Sequence, residues 1–538
     1  MQRALLLDFH KKEHCFKVFI RMGIFRVERS TRMQFVKKQT AVLSKISLAV
    51  IFVAIFFVSS IGSLQASAAR AQQAGTPNTN ASLVQKLSVD QTPVMGWSSW
   101  SFLRHGVDAS QVEGEARAMV STGLALVGYQ YINLDDGWYQ CPGPQGPNVD
   151  QYGRWIVDPT HFPSGGAENG IVALAAYVHS LGLKFGIYET AGISEQAVKG
   201  NTKVLGTKYT ADEIATKVPQ NNYNCGGMVD LNYSKPGAQA YVNSIVNELA
   251  SWGVDYIKLD GITNHNVPDI RAWSKAIVQS GRPMVLDTTQ GSYTIKIAPE
   301  LVKYSNQWEF KPDIEINGPD EGSAPGCSIP PFTGCLSVLP FTSYSHWSDR
   351  FDAVANWQPF GGPGGFNDYD SIEVGDGPAN AGMSFAGEQS QLSLWALGSS
   401  PLILGVDLTG KVTNAYGTSS SLHPADLGLL LNRQVIEVDQ DAIDAARISK
   451  TGTAQVFAKV ELQGDGIVGL FDTSTNLHAA NDAISTTASA IGLPSDPYGY
   501  LVENLWTGQV WKISHAGMIS ASVPSEGVAL YRVTPLYG

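Results

Sequence analysis

Between residues 92 and 443 the chain repeats one pattern: a short apolar run that ends in polar or charged side chains, then a longer amphipathic stretch. The runs are "TPVMGWSSW", "YQYINLDDGW", "LKFGIYET", "VDYIKLD", "PMVLDTT", "LVKYSNQWEF", "GGFNDYD" and "PLILGVD". Runs this short, apolar on both faces, read as strands of a parallel sheet, because helices cover such strands on both sides. The stretches between them, such as "DASQVEGEARAMVSTGLALVG" and "KPGAQAYVNSIVNELASWG", carry apolar residues at three- and four-residue spacing and read as helices. Gly253 is the expected stop of the second. Eight strands alternating with helices predict an α/β fold, a (β/α)8 TIM barrel over 92–443. An open doubly wound sheet is the alternative, but it would want a Gly-rich phosphate turn after its first strand, and "MGWSSW" is not one.

The rhythm changes at 444. "AQVFAKVEL", "GIVGLFDTS", "YLVENLWTGQVWKI" and "GVALYRVTP" alternate apolar and polar residues between Gly, Asp and Ser turns. That pattern predicts a C-terminal antiparallel β-sandwich over 444–538.

One run breaks its own pattern. In "GVDYIKLDGI", residues 253–262, Lys258 and Asp260 interrupt an apolar strand two positions apart, so both point to one face. They are either an ion pair of the barrel or part of a reacting site, and spacing alone leaves both open. Asp135, Asp136, Asp260, Asp287, Asp313, Asp368 and Asp370 fall at or near strand ends, the face where barrels of this kind carry their chemistry.

Composition narrows the reading. Twelve Trp and twenty Tyr supply flat surfaces suited to sugar rings as well as to cores. Residues 48–64 are apolar and follow Lys37, Lys38 and Lys45, and Ala66-Ser67-Ala68 offers a small-residue cleavage site. Residues 1–68 therefore read as a signal-peptide region, with Met33 a more ordinary start, and an uncleaved membrane anchor as the alternative. Residues 69–91 lack periodicity and read as a disordered leader or linker. The expected location is secreted or periplasmic, with no membrane association after cleavage. The chain carries a net charge of −11, and removal of the basic leader takes it to about −19. Such an acidic protein makes a poor nucleic-acid partner. Cys141, Cys225, Cys327 and Cys335 remain, enough for two disulfides in an oxidising compartment. Cys327 with Cys335 bracket a Pro-rich loop; Cys141 with Cys225 is the other pairing considered.

His10 and His14 lie in the leader, and none of the other histidines form a pair with metal-ligand spacing, so no metal is expected, although an oxygen-only Ca2+ site stays open. Neither a phosphate-binding Walker sequence nor a Gly-x-Ser-x-Gly elbow occurs. What remains is carboxylate chemistry without a cofactor. Two carboxyls, one to attack and one to protonate, suffice to cleave a glycoside.

"TPVMGWSSWSF", "YINLDDGW", "FGIY", "VDYIKLDG", "GGPGGFNDYD", "LWALGSSPLILGVDL" and "VIEVDQD" occur in this order and together resemble glycoside hydrolase family 27, the α-galactosidase and α-N-acetylgalactosaminidase family. "ENLWTGQ" and "EGVALYRV" resemble that family's β-sandwich. The resemblance implies a retaining reaction on a carbohydrate substrate through a covalent glycosyl-enzyme, with α-D-galactose as the terminal sugar. It implies that Asp260 is the nucleophile and Asp313 the general acid/base. Asp135 and Asp136 would grip the outer hydroxyls of the sugar, Trp100 form its aromatic floor, and Tyr188, Lys258 and Asp370 hydrogen-bond around it. Lys258, facing Asp260, would hold that nucleophile ionised.

The departures concern specificity more than mechanism. The family Arg near the acid/base is Glu309 here, expected to alter the contact to the 2-hydroxyl or the next subsite. Lys311 restores a cation on that face if the strand continues through it. The fifth strand ends "DTTQGSY" without the family's Glu, and Ile262 stands where a Cys is common. An isomaltose-releasing dextranase, a β-L-arabinopyranosidase and a non-catalytic carbohydrate-binding barrel are the competing readings.

Overall fold

In the computed structural model the described residues are 89, 91–222, 225–292, 294–314, 344–375, 383–411 and 422–537. The expected leader, residues 1–68, and the Cys327–Cys335 loop lie outside them. Among the described residues no helix is long and apolar enough to cross a membrane.

The eight apolar runs all yield strands: β1 (Met95–Ser98), β2 (Tyr131–Leu134), β3 (Lys184–Thr190), β4 (Tyr256–Thr263), β5 (Val285–Ser292), β6 (Gln307–Glu309), β7 (Phe366–Asp368) and β8 (Leu402–Leu404). Every pair is parallel, in the order β7-β6-β5-β4-β3-β2-β1-β8. The two ends meet just past β7, where Ile372 N–H donates to the Ile403 carbonyl at 2.7 Å and Gly405 N–H donates to that of Ile372 at 2.9 Å. The sheet is thereby the expected barrel. One run was read too generously: Leu301–Tyr304 of "LVKYSNQWEF" close a helix, and only Gln307–Glu309 extend.

Helices α1 (Ala109–Ser121), α2 (Gly170–Ser180), α3 (Pro236–Trp252), α4 (Val267–Ser280), α5 (Ala298–Tyr304), α6 (Arg350–Trp357), α7 (Phe385–Leu397) and α8 (Arg433–Asp439) follow the strands in turn. Their limits are local chemistry. Asp108 and Gln111 form a reciprocal capping box at the start of α1, satisfying two backbone donors that helix geometry leaves open. Pro236 opens α3, and Gly253, at φ 89°, ends it in the left-handed conformation that a side chain would penalise. Val242, Ile245, Val246 and Leu249 of α3 are buried against the sheet, as their spacing requires.

The loop after β3 adds a three-stranded sheet (Ile193–Ser194, Ala215–Gln220 and Met228–Leu231). Cys225 in that excursion is disulfide-bonded to Cys141 in the loop after β2, with Cα atoms 5.7 Å apart.

The tail forms β9 (Ala446–Thr451), β10 (Ala454–Val460), β11 (Gly466–Asp472), β12 (Asp482–Thr487), β13 (Tyr500–Asn504), β14 (Val510–Ile513), β15 (Met518–Val523) and β16 (Val528–Pro535). Six of these make one antiparallel sheet, β9-β10-β11-β16-β13-β14, and β12 pairs with β15. Ile484, Ile519 and Val523 of the small sheet pack with Val468, Leu470 and Val533 of the large one, which gives the expected sandwich. Phe457, Phe471 and Leu530 belong instead to the barrel's core. Lys459 of β10 is buried there, donating to the Val438 carbonyl at 2.6 Å and to Asp441 Oδ1 at 2.8 Å. A cation at the carbonyl end of α8 satisfies groups the helix cannot. It also ties the two layers together.

Candidate active site

The strand ends at the C-terminal mouth converge on one ammonium group. Lys258 stands in mid-β4, and its Nζ donates to Asp135 Oδ2 at 2.8 Å. Burial alone would lower the pKa of this lysine; the negative charges of Asp135, Asp260, Asp313 and Glu309 more than offset it and carry the group well above its ordinary value. Asp260 lies in β4, Glu309 ends β6, and Asp135 and Asp313 follow β2 and β6, so the carboxyls that bear on this cation come from three strands.

Asp135 and Asp136 follow β2 directly. The Asp135 N–H donates to Ser99 Oγ at 2.9 Å, and the Asp136 N–H donates to Asp135 Oδ1 at 2.8 Å. Both side chains are buried. Tyr188 of β3 lies beside them, its backbone carbonyl accepting from Trp138 Nε1 at 2.8 Å. Burial, and then the charges of Asp136 and Asp260, push its phenol well above the usual range, so it stays a neutral hydroxyl.

Asp260 is the fifth residue of β4, followed by the buried Gly261 and Ile262. Its Oδ1 accepts from Thr289 Oγ1 at 2.7 Å and from the Gly261 N–H at 2.6 Å. Gly261 sits at φ 72°, and a Cβ there would come within 2.9 Å of the Asn221 side chain, so only glycine fits. Lys258 favours the ionised form of Asp260, as expected, but it does so without a direct ion pair. Two residues along a strand separate the side chains by roughly 7 Å, and the hydrogen bond of Lys258 goes across the barrel to Asp135. Burial raises the Asp260 carboxyl above its usual range, and Lys258, Thr289 and the Gly261 N–H each pull it back.

Asp313 follows β6, and its Oδ2 accepts from Trp100 Nε1 at 3.2 Å. The Trp100 ring in turn carries the Arg104 guanidinium, 4.9 Å from its centre. The peptide on each side of Asp313 is anchored. Arg350 Nη2 donates to the Pro312 carbonyl at 2.5 Å, and the Ile314 N–H donates to Asp370 Oδ2 at 2.6 Å. Arg350 and Asp370 themselves lie 3.6 Å apart.

Asp370 adopts φ 79°, an unfavourable conformation for any residue with a side chain. Its surroundings over-determine it. The Asp370 N–H donates to Asp368 Oδ1 at 2.7 Å, the Ser371 N–H donates to Asp370 Oδ1 at 2.5 Å, and the Asp370 carbonyl accepts from Trp395 Nε1 at 2.8 Å.

Glu309 ends β6 and is 3% exposed. Burial, followed by the charges of Asp370 and Asp313, lifts its carboxyl well above the usual range. Lys311 does not restore a cation on this face: β6 stops at Glu309, and the Lys311 ammonium turns away to pair with Asp349. The carboxyl oxygens of Glu309, Asp313 and Asp370 lie within 4.8 Å of one another, a grouping that could hold a cation. Asp287 and Asp368 prove to be deeper than the mouth. Both are buried, and Asp287 Oδ2 accepts from Tyr256 OH at 2.7 Å. Burial raises both carboxyls, and the charge of Asp287 raises Asp368 further.

Trp100, Asp135, Asp136, Glu309, Asp313 and Asp370 stand at or just past the ends of their strands, and Tyr188, Lys258 and Asp260 within β3 and β4. Sequence reasoning missed Thr289 and Arg350. Thr289 lies in "DTTQGSY", where only the absence of a Glu drew notice. Arg350 opens a surface-style helix in "SDRFD", and nothing local marks it as fully buried.

Comparison with known proteins agrees with this fold. The family model described as alpha galactosidase A matches residues 92–213 and 341–441, and that of the alpha galactosidase C-terminal beta sandwich domain matches 451–533. An alpha-galactosidase of Coffea arabica is 30% identical over 450 residues, covering 82% of this chain and 94% of its own length. One from Cyamopsis tetragonoloba is 29% identical over 454 residues, covering 83% and 87%. Among solved structures, a GH27 β-L-arabinopyranosidase from Geobacillus stearothermophilus superposes with a TM-score of 0.71 at 25% identity, covering 84% of this chain and 98% of its own. With its barrel, its sandwich and its ring of carboxyls, the chain belongs to the α-galactosidase family of glycoside hydrolases, family 27, and is a glycosidase.

Proposed function

We propose that the protein is exported and removes terminal α-D-galactose from oligosaccharides or polysaccharides with retention of configuration. Asp260 attacks carbon 1 and forms the glycosyl-enzyme, while Asp313 protonates the departing oxygen and then deprotonates the incoming water. The observation that carries this reading is that one cavity is lined both by Thr289, which donates to Asp260, and by Glu309, whose carboxyl oxygen lies within 4.8 Å of that of Asp313. An acid and a nucleophile on a single sugar must share one small space. Asp260 is suited to attack, since Thr289 and the Gly261 N–H occupy one oxygen and leave Oδ2 to carbon 1. Asp313 is suited to proton transfer, since Trp100 Nε1 orients the same carboxyl. Asp135, Asp136 and Tyr188 present acceptors and a neutral hydroxyl to the ring, and Asp370 acts on the loop that carries Asp313.

Nitrophenyl α-galactoside, α-glucoside and β-L-arabinopyranoside, together with dextran, test the substrate. NMR of the first-formed anomer tests retention. An inverted product would overturn the mechanism, and faster cleavage of the arabinopyranoside would reassign the sugar. The export reading rests on the apolar run 48–64 and Ala66-Ser67-Ala68. Mass spectrometry of the N-terminus of the exported protein tests it, and a product beginning upstream of residue 48 would refute it.

A further inference from the structure

The register between β4 and β5 slips at Asp260. Leu259 stands opposite Thr288 and Ile262 opposite Gln290, so Asp260 and Gly261 together face the single residue Thr289. This is a β-bulge, a device that re-aims a side chain out of the regular alternation. Gly261 permits it, since φ 72° suits only a residue without a Cβ. The Gly261 carbonyl accepts from Asn221 Nδ2 at 3.5 Å, so the loop after β3 braces the bulge. The outcome is two donors on one oxygen. Thr289 Oγ1 and the Gly261 N–H both reach Asp260 Oδ1, at 2.7 and 2.6 Å. Thr289 is buried, where the low local dielectric strengthens such a bond.

We infer that Thr289 is a positioning residue that fixes the reacting oxygen of Asp260 and favours release of the sugar from it in the second half of the reaction. The inference rests on the reading of Asp260 as nucleophile given above. A hydroxyl donates more strongly to a charged carboxylate than to a neutral ester carbonyl. In the first step a lone pair of Oδ2 bonds to carbon 1, the bond from carbon 1 to the leaving oxygen breaks, and that oxygen takes the proton of Asp313. Oδ1 becomes the carbonyl oxygen of a glycosyl ester, and both bonds to it weaken. In the second step water adds to carbon 1, its proton passes to Asp313, and the electron pair of the ester bond returns to Asp260. Both donors then regain a charged partner. Their bonds to Oδ1 thus favour the free enzyme over the glycosyl-enzyme.

Of the two donors, the Gly261 N–H belongs to the backbone and cannot be removed by substitution. Thr289 is the side chain whose loss changes the donors on Oδ1 without removing a charge. Without its hydroxyl the free carboxylate rises in energy relative to the ester, so the glycosyl-enzyme accumulates. The effect falls on the second step, which limits kcat when the leaving group is activated. It falls less on the first, which sets kcat/KM. A merely structural role would lower both alike.

The test uses the nitrophenyl glycoside of the panel above that the parent enzyme cleaves fastest. Thr289→Val keeps the branched shape and removes the hydroxyl, and Thr289→Ser keeps the hydroxyl. In Thr289→Val we expect kcat to fall about tenfold, kcat/KM by about threefold or less, and KM to fall accordingly. Intact-protein mass spectrometry of samples quenched in acid during turnover should show a larger glycosyl-enzyme fraction than in the parent, and peptide mapping should place the sugar on Asp260. Thr289→Ser should return both readouts towards the parent. Equal falls in kcat and kcat/KM, an unchanged glycosyl-enzyme fraction, or no recovery in Thr289→Ser overturns the inference and leaves the retaining mechanism standing. An inverted first product in the parent, a sugar attached to another residue, or no cleavage of any glycoside refutes the reading of Asp260 and the inference with it. Should Thr289→Val fail to fold by circular dichroism, Thr289→Ala carries the same comparison.

Discussion

Arg350 and Asp370 stand 3.6 Å apart and hold the chain on both sides of Asp313, one at the Pro312 carbonyl and the other at the Ile314 N–H. Neither residue is adjacent to Asp313 in sequence. Arg350 opens α6 and Asp370 follows β7, so the orientation of this carboxyl depends on packing between two adjacent βα units.

Loosening this clamp should therefore impair proton transfer before it impairs binding. Arg350→Lys keeps the charge but loses the forked donor set that reaches both partners. We expect kcat on a natural galactoside to fall about tenfold with little change in KM, and to fall less on a nitrophenyl substrate, whose leaving group needs little protonation. Arg350→Met leaves Asp370 without its cation and should cost about 3–5 kcal/mol of stability. Steady-state kinetics on the two substrates and chemical denaturation separate these effects.

The two proposed reacting carboxyls should fail differently. Asp260→Ala should lower turnover about 10³-fold or more on every substrate, because no glycosyl-enzyme can form. Asp313→Ala should spare activated aryl glycosides relative to natural ones. Circular dichroism of both variants should match the parent, and equal losses on both substrate types for Asp313→Ala would remove its acid role.

Asp444 links the barrel to the start of the sandwich, accepting from Asn367 Nδ2 at 2.8 Å. Burial pushes its carboxyl up to about 7. A carboxyl whose folded pKa exceeds its unfolded one keeps a proton longer in the native state, so stability falls as pH rises through that window. Here the window runs from about pH 4, the ordinary carboxylate range, to about 7, and the loss across it is about 4 kcal/mol at 1.36 kcal/mol per unit. Asp444→Asn should flatten the decline of Tm over this range, as differential scanning calorimetry at pH 4, 5.5 and 7 would read.

The Cys141–Cys225 bond closes a loop with a sequence separation of 84 residues. Removing it should cost about 4–5 kcal/mol through the greater freedom of the unfolded chain. The double variant Cys141→Ser/Cys225→Ser should show a lower denaturant midpoint. It should retain its activity below that midpoint, because the bond joins two loops and neither cysteine belongs to the carboxyl ring.

The repeating alternation of apolar runs and amphipathic stretches was enough to fix eight parallel strands, their helices and the change to antiparallel pairing near residue 446. Burial on both faces leaves a local imprint that periodicity records. The end of α3 at Gly253 was legible for the same reason, since a left-handed glycine acts within one turn. The β6 run was over-read because "LVKY" is apolar enough to pass for strand, and only docking of α5 decides that it is helical.

The carboxyls at the mouth were legible as residues, while their pairings were not. Lys258 and Asp260 share a face by strand geometry, yet the partner of Lys258 is Asp135, 123 positions away, because barrel closure brings β2 and β4 to the same interior. Arg350 gave no local sign of burial, and its place beside Asp370 exists only once α6 packs under the β6 loop. The sequence by itself determined which elements form and which acids stand at their ends, since both follow from contacts among near neighbours. Only the tertiary structure decided which charges meet, because Coulomb and hydrogen-bond energies depend on distances in space that the order of residues does not contain.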